Sequence, residues 1–99
     1  MKVLWTPEAE ETFEQIIDNL ILYWTQKELN SFLEQTENVL SFIEQNPCLY
    51  KSTQKNKQVR KGFINKLVTV FYRVDSENKQ IEILSFWNNR QDPDKNKFD

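Results

Sequence analysis

Three arginines in the second half of the chain have the side-chain chemistry to bind an anion. Arg60 and Arg73 lie within short apolar runs, and Arg90 directly follows the run from 81 to 89. A guanidinium group donates paired, charge-assisted hydrogen bonds to a phosphate or a carboxylate. Because each arginine belongs to a different strand-like segment, the pattern predicts a small sheet with a cationic surface that binds an anionic partner.

Other kinds of chemistry are poorly represented among the 99 residues. There is no histidine, the only cysteine is Cys48 and the only glycine is Gly62. Zinc sites, serine–histidine triads and imidazole acid–base catalysis are therefore disfavoured, as are the glycine-rich loops that hold phosphates. We expect no metal and no cofactor, and an enzyme of this composition would work with arginine, lysine, carboxylates and tyrosine.

Charge is divided unevenly along the chain although the net charge is only −2. Residues 1–48 carry nine acidic side chains and two lysines, whereas residues 49–91 carry nine basic and three acidic side chains. This division predicts one localised cationic surface rather than general affinity for nucleic acid. No apolar run approaches the roughly 20 residues of a membrane span, and with a single cysteine we expect a cytoplasmic protein that does not bind a membrane.

The first half predicts a short strand followed by two helices. Lys2–Trp5 is the strand, and Thr6-Pro7 supplies a helix N-cap and a proline at the first helical position. Thr25 and Glu28 match a capping box that begins a second helix, which Asn46-Pro47 ends. Apolar residues recur at helical spacing at Ala9, Phe13, Ile16, Ile17, Leu20 and Trp24, and then at Leu29, Phe32, Leu33, Val39, Leu40 and Ile43. With so short a joint, the two helices should form an antiparallel hairpin.

The second half predicts three strands, at Gln58 to Phe63, Leu67 to Val74 and Gln80 to about Trp87. The third strand of the chain is apolar on both faces, which is typical of an interior strand. Residues 92–99 should form a loosely ordered tail. The whole chain is then a single α+β domain of order β-α-α-β-β-β, with a helical hairpin packed on a small antiparallel sheet.

Several short motifs, taken in order, resemble the RelE/ParE superfamily of toxins from type II toxin–antitoxin systems, also called plasmid-stabilisation proteins. The motifs are Thr6-Pro7-Glu8-Ala9, Tyr23-Trp24, Pro47, Val59-Arg60, Phe71-Tyr72-Arg73-Val74 and Phe86-Trp87-Asn88-Asn89-Arg90-Gln91-Asp92-Pro93. The resemblance covers about residues 2 to 94. It implies a cognate antitoxin that wraps the toxin in a hetero-oligomer and blocks its active surface. It also implies one of two activities, inhibition of DNA gyrase, as in ParE, or ribosome-dependent cleavage of messenger RNA, as in RelE.

RNA cleavage without a metal needs a base for the 2′-hydroxyl, stabilisation of charge at the phosphate, and an acid for the leaving oxygen. If Arg60, Arg73 and Arg90 converge, they supply the second function, with Lys55, Lys57 and Lys61 adding positive potential. RelE-like nucleases usually also carry an arginine early in the third strand and a histidine or tyrosine near the C-terminus. In this chain Thr69 stands at the position of that arginine. The last tyrosine is Tyr72, and Phe98 in the tail has no proton to donate.

These departures favour a ParE-like growth inhibitor acting on gyrase. A RelE-like nuclease remains the alternative, as does a degenerate module that binds its partner without toxicity. The residues expected to bind the partner or target are Arg60, Lys61, Arg73, Trp87, Asn89 and Arg90. Structural roles compete at three of these positions, because Arg60 could pair with a helix glutamate, Trp87 could fill the core, and Arg73 could simply face solvent. Arg90 has the weakest structural role, and is the best single candidate for function.

Overall fold

Two helices lie on one face of a four-stranded sheet in the computed structural model, which describes residues 1–99. The elements are β1 (Lys2–Trp5), α1 (Pro7–Ile21), α2 (Gln26–Gln45), β2 (Val59–Phe63), β3 (Val68–Asp75), β4 (Gln80–Asn88) and a single 3-10 turn at Pro93–Lys95. The predicted α+β class and the order β-α-α-β-β-β are confirmed. Neither α1 nor α2 combines the length and the apolar character that crossing a membrane requires.

Both helices begin at the caps that the sequence predicts. The Thr6 hydroxyl accepts a hydrogen bond from the Ala9 amide at 3.1 Å, and Pro7 follows it at the first helical position. At the start of α2, Thr25 and Glu28 form both halves of a capping box, which satisfies backbone donors that a helix start otherwise leaves unpaired. The break between Ile21 and Gln26 allows the chain to reverse direction, as predicted.

The sheet has the strand order β1-β4-β3-β2. β3 is an interior strand, as predicted, and it pairs antiparallel with both β2 and β4. β1 pairs parallel with β4, so the sheet is mixed rather than wholly antiparallel. No tight turn joins β1 to its neighbour, since the helical hairpin intervenes, and the sequence therefore did not determine the direction of this pairing.

Alternation along β3 divides the sheet into two faces. Val68, Val70 and Tyr72 face the helices and belong to the main core cluster, whereas Thr69, Phe71 and Arg73 point the other way. A bulge opposite Phe71 and Tyr72 shifts the register of β4. Because the bulge adds one residue to β4, side chains three positions apart in that strand, Ile83 and Phe86, both enter the core. We call the side of the sheet away from the helices the open face; it carries Lys61, Thr69, Phe71, Arg73 and Trp87.

Residues of the tail lie across this open face. The Phe98 ring packs against Phe71 with centroids 5.3 Å apart, and Asn96 is buried. Asp99 Oδ2 lies 2.5 Å from Lys61 Nζ. These contacts differ from the expectation of a loosely ordered tail. The tail packs on the sheet because Phe71 is a large apolar side chain on the open face. Covering Phe71 with the tail removes its ring from water.

Candidate binding surface

Arg60 lies on edge strand β2, on the side of the sheet that faces the helices. It is paired with Tyr72 of β3, and residues directly opposite each other in an antiparallel pair share a face. Its Nη1 donates hydrogen bonds to the Tyr50 carbonyl at 2.6 Å and the Cys48 carbonyl at 3.2 Å. Arg60 therefore holds the loop after α2 against the sheet through backbone carbonyls, rather than through a helix glutamate.

Arg73 lies on the open face and forms an ion pair across the sheet. Its register partner on β4 is Glu82, whose Oε1 accepts hydrogen bonds from Nε at 3.1 Å and from Nη2. This hydrogen bonding raises the pKa of Arg73 above its already high usual value. The guanidinium remains charged, but the adjacent carboxylate partly neutralises its field.

One open groove at this end of the sheet brings two of the arginines together. Its volume is about 570 Å³, and Arg60, Arg73 and Lys57 contribute its basic lining. Asp75 and Glu77 line the same groove. Asn78 donates hydrogen bonds to Asp75 from both its side chain and its backbone, which lowers the pKa of that carboxyl. The groove is consequently mixed in charge, and a strongly anionic ligand would meet repulsion as well as attraction there.

Arg90 lies in an exposed corner just beyond the end of β4. Its backbone amide donates to Asn88 Oδ1 at 2.9 Å, while its guanidinium takes part in none of the hydrogen bonds or salt bridges within the chain. Asn89 fixes this corner, since its Oδ1 accepts from the Thr69 hydroxyl at 2.8 Å and its Nδ2 donates to the Lys66 carbonyl at 3.1 Å. The backbone is therefore held in place while the Arg90 side chain remains available to a partner.

The three arginines do not converge, contrary to the condition that the nuclease interpretation requires. Arg73 pairs near one end of β3, whereas Asn88, two residues before Arg90, pairs with Val68 at the other end. At about 3.3 Å per residue, the five steps from Val68 to Arg73 span roughly 17 Å. Arg73 is also bonded to Glu82, so the guanidinium groups of Arg73 and Arg90 lie towards opposite ends of the sheet.

Lys61, Trp87 and the tail form a third group, on the open face between the two ends. Lys61 is paired with Phe71 of β3, and Trp87 is paired with Thr69. Trp87 is half-buried on this face, so it is not a core plug between sheet and helices. Phe98 and Asp99 extend this group, and sequence reasoning missed them because an aromatic and an acid in an aperiodic tail give no signal of where they pack.

Tyr72 has a structural role. It is fully buried, and its hydroxyl donates to the Pro47 carbonyl at 2.8 Å. Burial raises the pKa of Tyr72 to about 12, so its phenol holds its proton more firmly than an exposed tyrosine does. No three of the cysteine, aspartate and glutamate side chains are grouped so that they could hold a metal ion.

A sequence model of one protein family matches residues 3–93, and that family is described as the ParE toxin of type II toxin–antitoxin system, parDE. Among curated proteins, none matches the chain in sequence.

Solved structures with the same fold include a YoeB/ParE toxin from Agrobacterium tumefaciens, with 12% identity and a TM-score of 0.65 over 90% of this chain and 99% of that one. A chromosomal ParDE toxin–antitoxin system from P. aeruginosa gives 16% identity and a TM-score of 0.64, covering 89% and 95% of the two chains. The YoeB dimer from Staphylococcus aureus gives 19% identity and a TM-score of 0.59, covering 86% of this chain and 92% of that one. At such identities, these likenesses establish the fold alone.

Proposed function

Since the chain belongs to the ParE toxin family of type II toxin–antitoxin systems, we propose that it arrests growth by inhibiting DNA gyrase and that a cognate antitoxin neutralises it. The single observation that carries the choice of target is the separation of the arginines on the sheet. Arg60 is bonded to the loop, Arg73 is bonded to Glu82, and only Arg90 presents an unpaired guanidinium. One free arginine in a fixed corner suits recognition of a protein target more than cleavage of RNA.

Metal-free RNA cleavage would need three functions in one place, namely a base, an acid and a stabiliser of phosphate charge. Tyr72 is buried beneath the loop with its hydroxyl bonded to Pro47, so it cannot reach a substrate without local opening. Phe98, which lies over the open face near Phe71, has no proton to transfer. The arrangement therefore supports binding better than it supports proton transfer.

The antitoxin is expected to be a small protein with an acidic, amphipathic segment. Residues 49–91 carry a surplus of six positive charges, nine basic against three acidic side chains, and charge complementarity increases both the rate and the specificity of association. A segment that folds onto the toxin as it binds can cover a large surface. The likeness to a chromosomal ParDE system agrees with such a pairing.

A ribosome-dependent nuclease is the second candidate, and one groove favours it. Lys57, Arg60 and Arg73 line one cavity together with two carboxylates, which places positive charge beside groups that can accept a proton. One of the structurally similar proteins is described as a YoeB/ParE toxin and another as a YoeB dimer. In this alternative, Arg60 and Arg73 would act on RNA while Arg90 would not.

Expression without the antitoxin, followed by pulse labelling, separates the candidates. We expect growth arrest in which thymidine incorporation falls before uridine and methionine incorporation, with Arg90→Ala as the inactive control. Immediate loss of methionine incorporation with cleavage of messenger RNA on ribosomes, abolished by Arg60→Ala or Arg73→Ala, would assign the nuclease instead. No arrest at all with a soluble, folded protein would indicate a module that only binds its partner.

The antitoxin partnership is tested by expressing the chain together with the small protein encoded beside it. We expect one stable complex on size-exclusion chromatography at micromolar concentration, and normal growth of the cells. Two proteins that elute separately, while growth arrest persists, would contradict the partnership.

A further inference from the structure

The joint between the two helices exposes three consecutive apolar side chains. Leu22 is 74% exposed and Tyr23 is 84% exposed, and more than half of Ile21 is exposed as well. Single exposed apolar residues are ordinary, whereas a contiguous exposed apolar patch is typical of a binding surface. We call Ile21, Leu22 and Tyr23 the hairpin tip.

Packing within the chain does not account for the hairpin tip. In the pair Tyr23-Trp24, the Trp24 ring packs against Phe32 at 5.8 Å between centroids, whereas the Tyr23 side chain extends into solvent. The backbone of the tip is nevertheless fixed, because the amides of Tyr23 and Trp24 both donate to the Leu20 carbonyl, at 3.0 and 2.7 Å. An apolar group that is already held in place loses little conformational freedom when a partner covers it.

The hairpin tip lies at the same end of the molecule as Arg90. Asn19, in the last turn of α1, and Gln91, next to Arg90, line one cavity of about 310 Å³. Leu22 follows Asn19 by three residues, which is about 4.5 Å along a helix. A standard protein interface buries roughly 800 Å² on each partner, an area wide enough to include both the tip and Arg90.

A second unpaired cation stands beside Arg90. Asn89 Nδ2 donates to the Lys66 carbonyl at 3.1 Å, and the Lys66 side chain is exposed and makes no hydrogen bond or ion pair within the chain. This end of the molecule therefore combines an apolar tip with two free positive charges. A complementary partner has an apolar pocket with carboxylates beside it.

The charge of the helices distinguishes between the two expected partners. Residues 1–48, which contain the hairpin tip, carry nine acidic side chains and two lysines. An acidic antitoxin segment is attracted to the cationic residues 49–91 and repelled by the helices. The tip is thus left to a different protein, and Arg90 at the same end is the residue expected to meet the target.

We propose that the hairpin tip is a second part of the target-binding surface, beside Arg90. Leu22 and Tyr23 enter an apolar pocket on the target protein, while the two cations pair with carboxylates next to that pocket. The identity of the target as gyrase rests on the proposed function. Aromatic side chains buried near the centre of an interface carry a large share of the binding free energy, so truncation of Tyr23 should weaken target binding without affecting the fold.

The test compares Leu22→Ser and Tyr23→Ala with the matched control Leu49→Ser. Leu49 is also exposed, at 66%, and it lies beyond the far end of α2, away from the tip. The readouts are inhibition of supercoiling by purified gyrase, growth arrest in cells, and complex formation with the antitoxin on size-exclusion chromatography. Thermal melts verify that each variant is folded.

We expect the toxin concentration for half-inhibition of supercoiling to rise at least about ten-fold for each tip variant and to stay unchanged for Leu49→Ser. Growth arrest should weaken in the same variants, and all of them should keep the antitoxin complex. A photo-reactive phenylalanine analogue in place of Tyr23 should cross-link to a gyrase subunit, whereas the same analogue in place of Leu49 should not.

Inhibition and growth arrest by the tip variants equal to those of the unaltered chain would overturn the proposal. Loss of the antitoxin complex in the tip variants alone would overturn it by assigning the tip to the antitoxin, and a dimer of the unaltered chain that these variants dissociate would assign the tip to a second copy. Growth arrest without inhibition of gyrase would contradict the proposed function only, because the comparison of growth arrest still tests the tip. No arrest by the folded, unaltered chain would overturn both.

Discussion

The two ends of the sheet carry arginines of the same kind, yet the molecule uses them differently. At one end, Arg60 and Arg73 are bonded to loop carbonyls and to Glu82. At the other end, Arg90 is held by its backbone while its guanidinium is unpaired. An arginine that already has partners stabilises structure or modulates local charge, whereas an unpaired arginine in a rigid corner is available to a target.

The difference between the two ends of the sheet also shows that the three arginines should not be assigned the same role. Each of the three arginines lies in a strand or just after one, and the sequence separates them only by giving Arg90 the weakest structural role. Their neighbours decide their roles, since hydrogen-bond acceptors within reach of a guanidinium use up its donors. The contrast leads to four substitutions whose effects should differ in kind as well as in size.

Replacing Arg90 should have the largest effect, on function alone. Arg90→Ala should abolish growth arrest while the melting temperature stays within measurement error, because an exposed side chain without partners contributes within about 0.5 kcal/mol to folding. Arg90→Lys should restore arrest only in part, since the charge survives but the planar fork does not. Growth on inducing medium and thermal melts provide the two readouts, with binding of the antitoxin largely retained. A large fall in the melting temperature of Arg90→Ala would make the residue structural.

Arg60→Ala should destabilise the fold by about 2 kcal/mol, because a hydrogen bond from a charged group contributes about 1.5–3 kcal/mol and the bond to the Cys48 carbonyl, which is long at 3.2 Å and exposed, adds little to the short bond to Tyr50. Urea denaturation would show a lower midpoint with an unchanged slope. Arg60→Lys is the control and should recover part of the loss. If Arg60→Ala is as stable as the unaltered chain, Arg60 does not hold the loop, and its free guanidinium would join the candidates for target binding.

The buried phenol of Tyr72 should make the folded protein less stable at alkaline pH. The pKa of Tyr72 is raised to about 12 in the folded protein and is about 10 when unfolded. The folded state therefore binds more protons between these values, and stability that is fully present below pH 10 falls as the pH rises towards 12, by about 2 kcal/mol. Tyr72→Phe should cost about 1 kcal/mol at pH 7 through the lost bond to Pro47 and should lack this component of the decline. Parallel pH profiles for the two proteins would contradict the burial of the phenol.

Arg73→Ala should have the smallest effect. The ion pair with Glu82 joins partly exposed side chains, with 44% of the arginine side chain accessible, and such pairs contribute between about zero and 1 kcal/mol. We expect a change in unfolding free energy below about 0.5 kcal/mol and undiminished growth arrest. Glu82→Gln is the matched control, because it removes the charge of the other partner in the ion pair. Loss of arrest with Arg73→Ala would move the functional surface to the groove.

Much of the fold was predictable because its signals are local. Thr6 and Thr25 mark the helix starts through caps that involve residues three positions away, and the apolar stripes follow helical spacing. The interior position of β3 follows from its two apolar faces. The parallel pairing of β1 and the bulge in β4 were not predictable, since both depend on contacts between distant segments.

The candidate site was predictable only in part, for a related physical reason. The sequence gives Arg90 the weakest structural role of the three arginines, and only its backbone amide is hydrogen-bonded within the chain. It does not indicate that Cys48 and Tyr50 present carbonyls to Arg60, because backbone groups have no residue-type signal. Phe98 packs on Phe71 across 27 residues of chain, and nothing in a short polar tail specifies that contact.

Inhibition of supercoiling by the purified toxin tests the central claim most directly. The assay compares the unaltered chain with Arg90→Ala on relaxed plasmid, using purified gyrase, with and without the antitoxin. The account predicts that the unaltered chain blocks supercoiling, that the antitoxin restores it, and that Arg90→Ala is at least about 100-fold weaker, which corresponds to about 2.7 kcal/mol of binding. Full supercoiling activity in the presence of a toxin that still arrests growth in cells would contradict it.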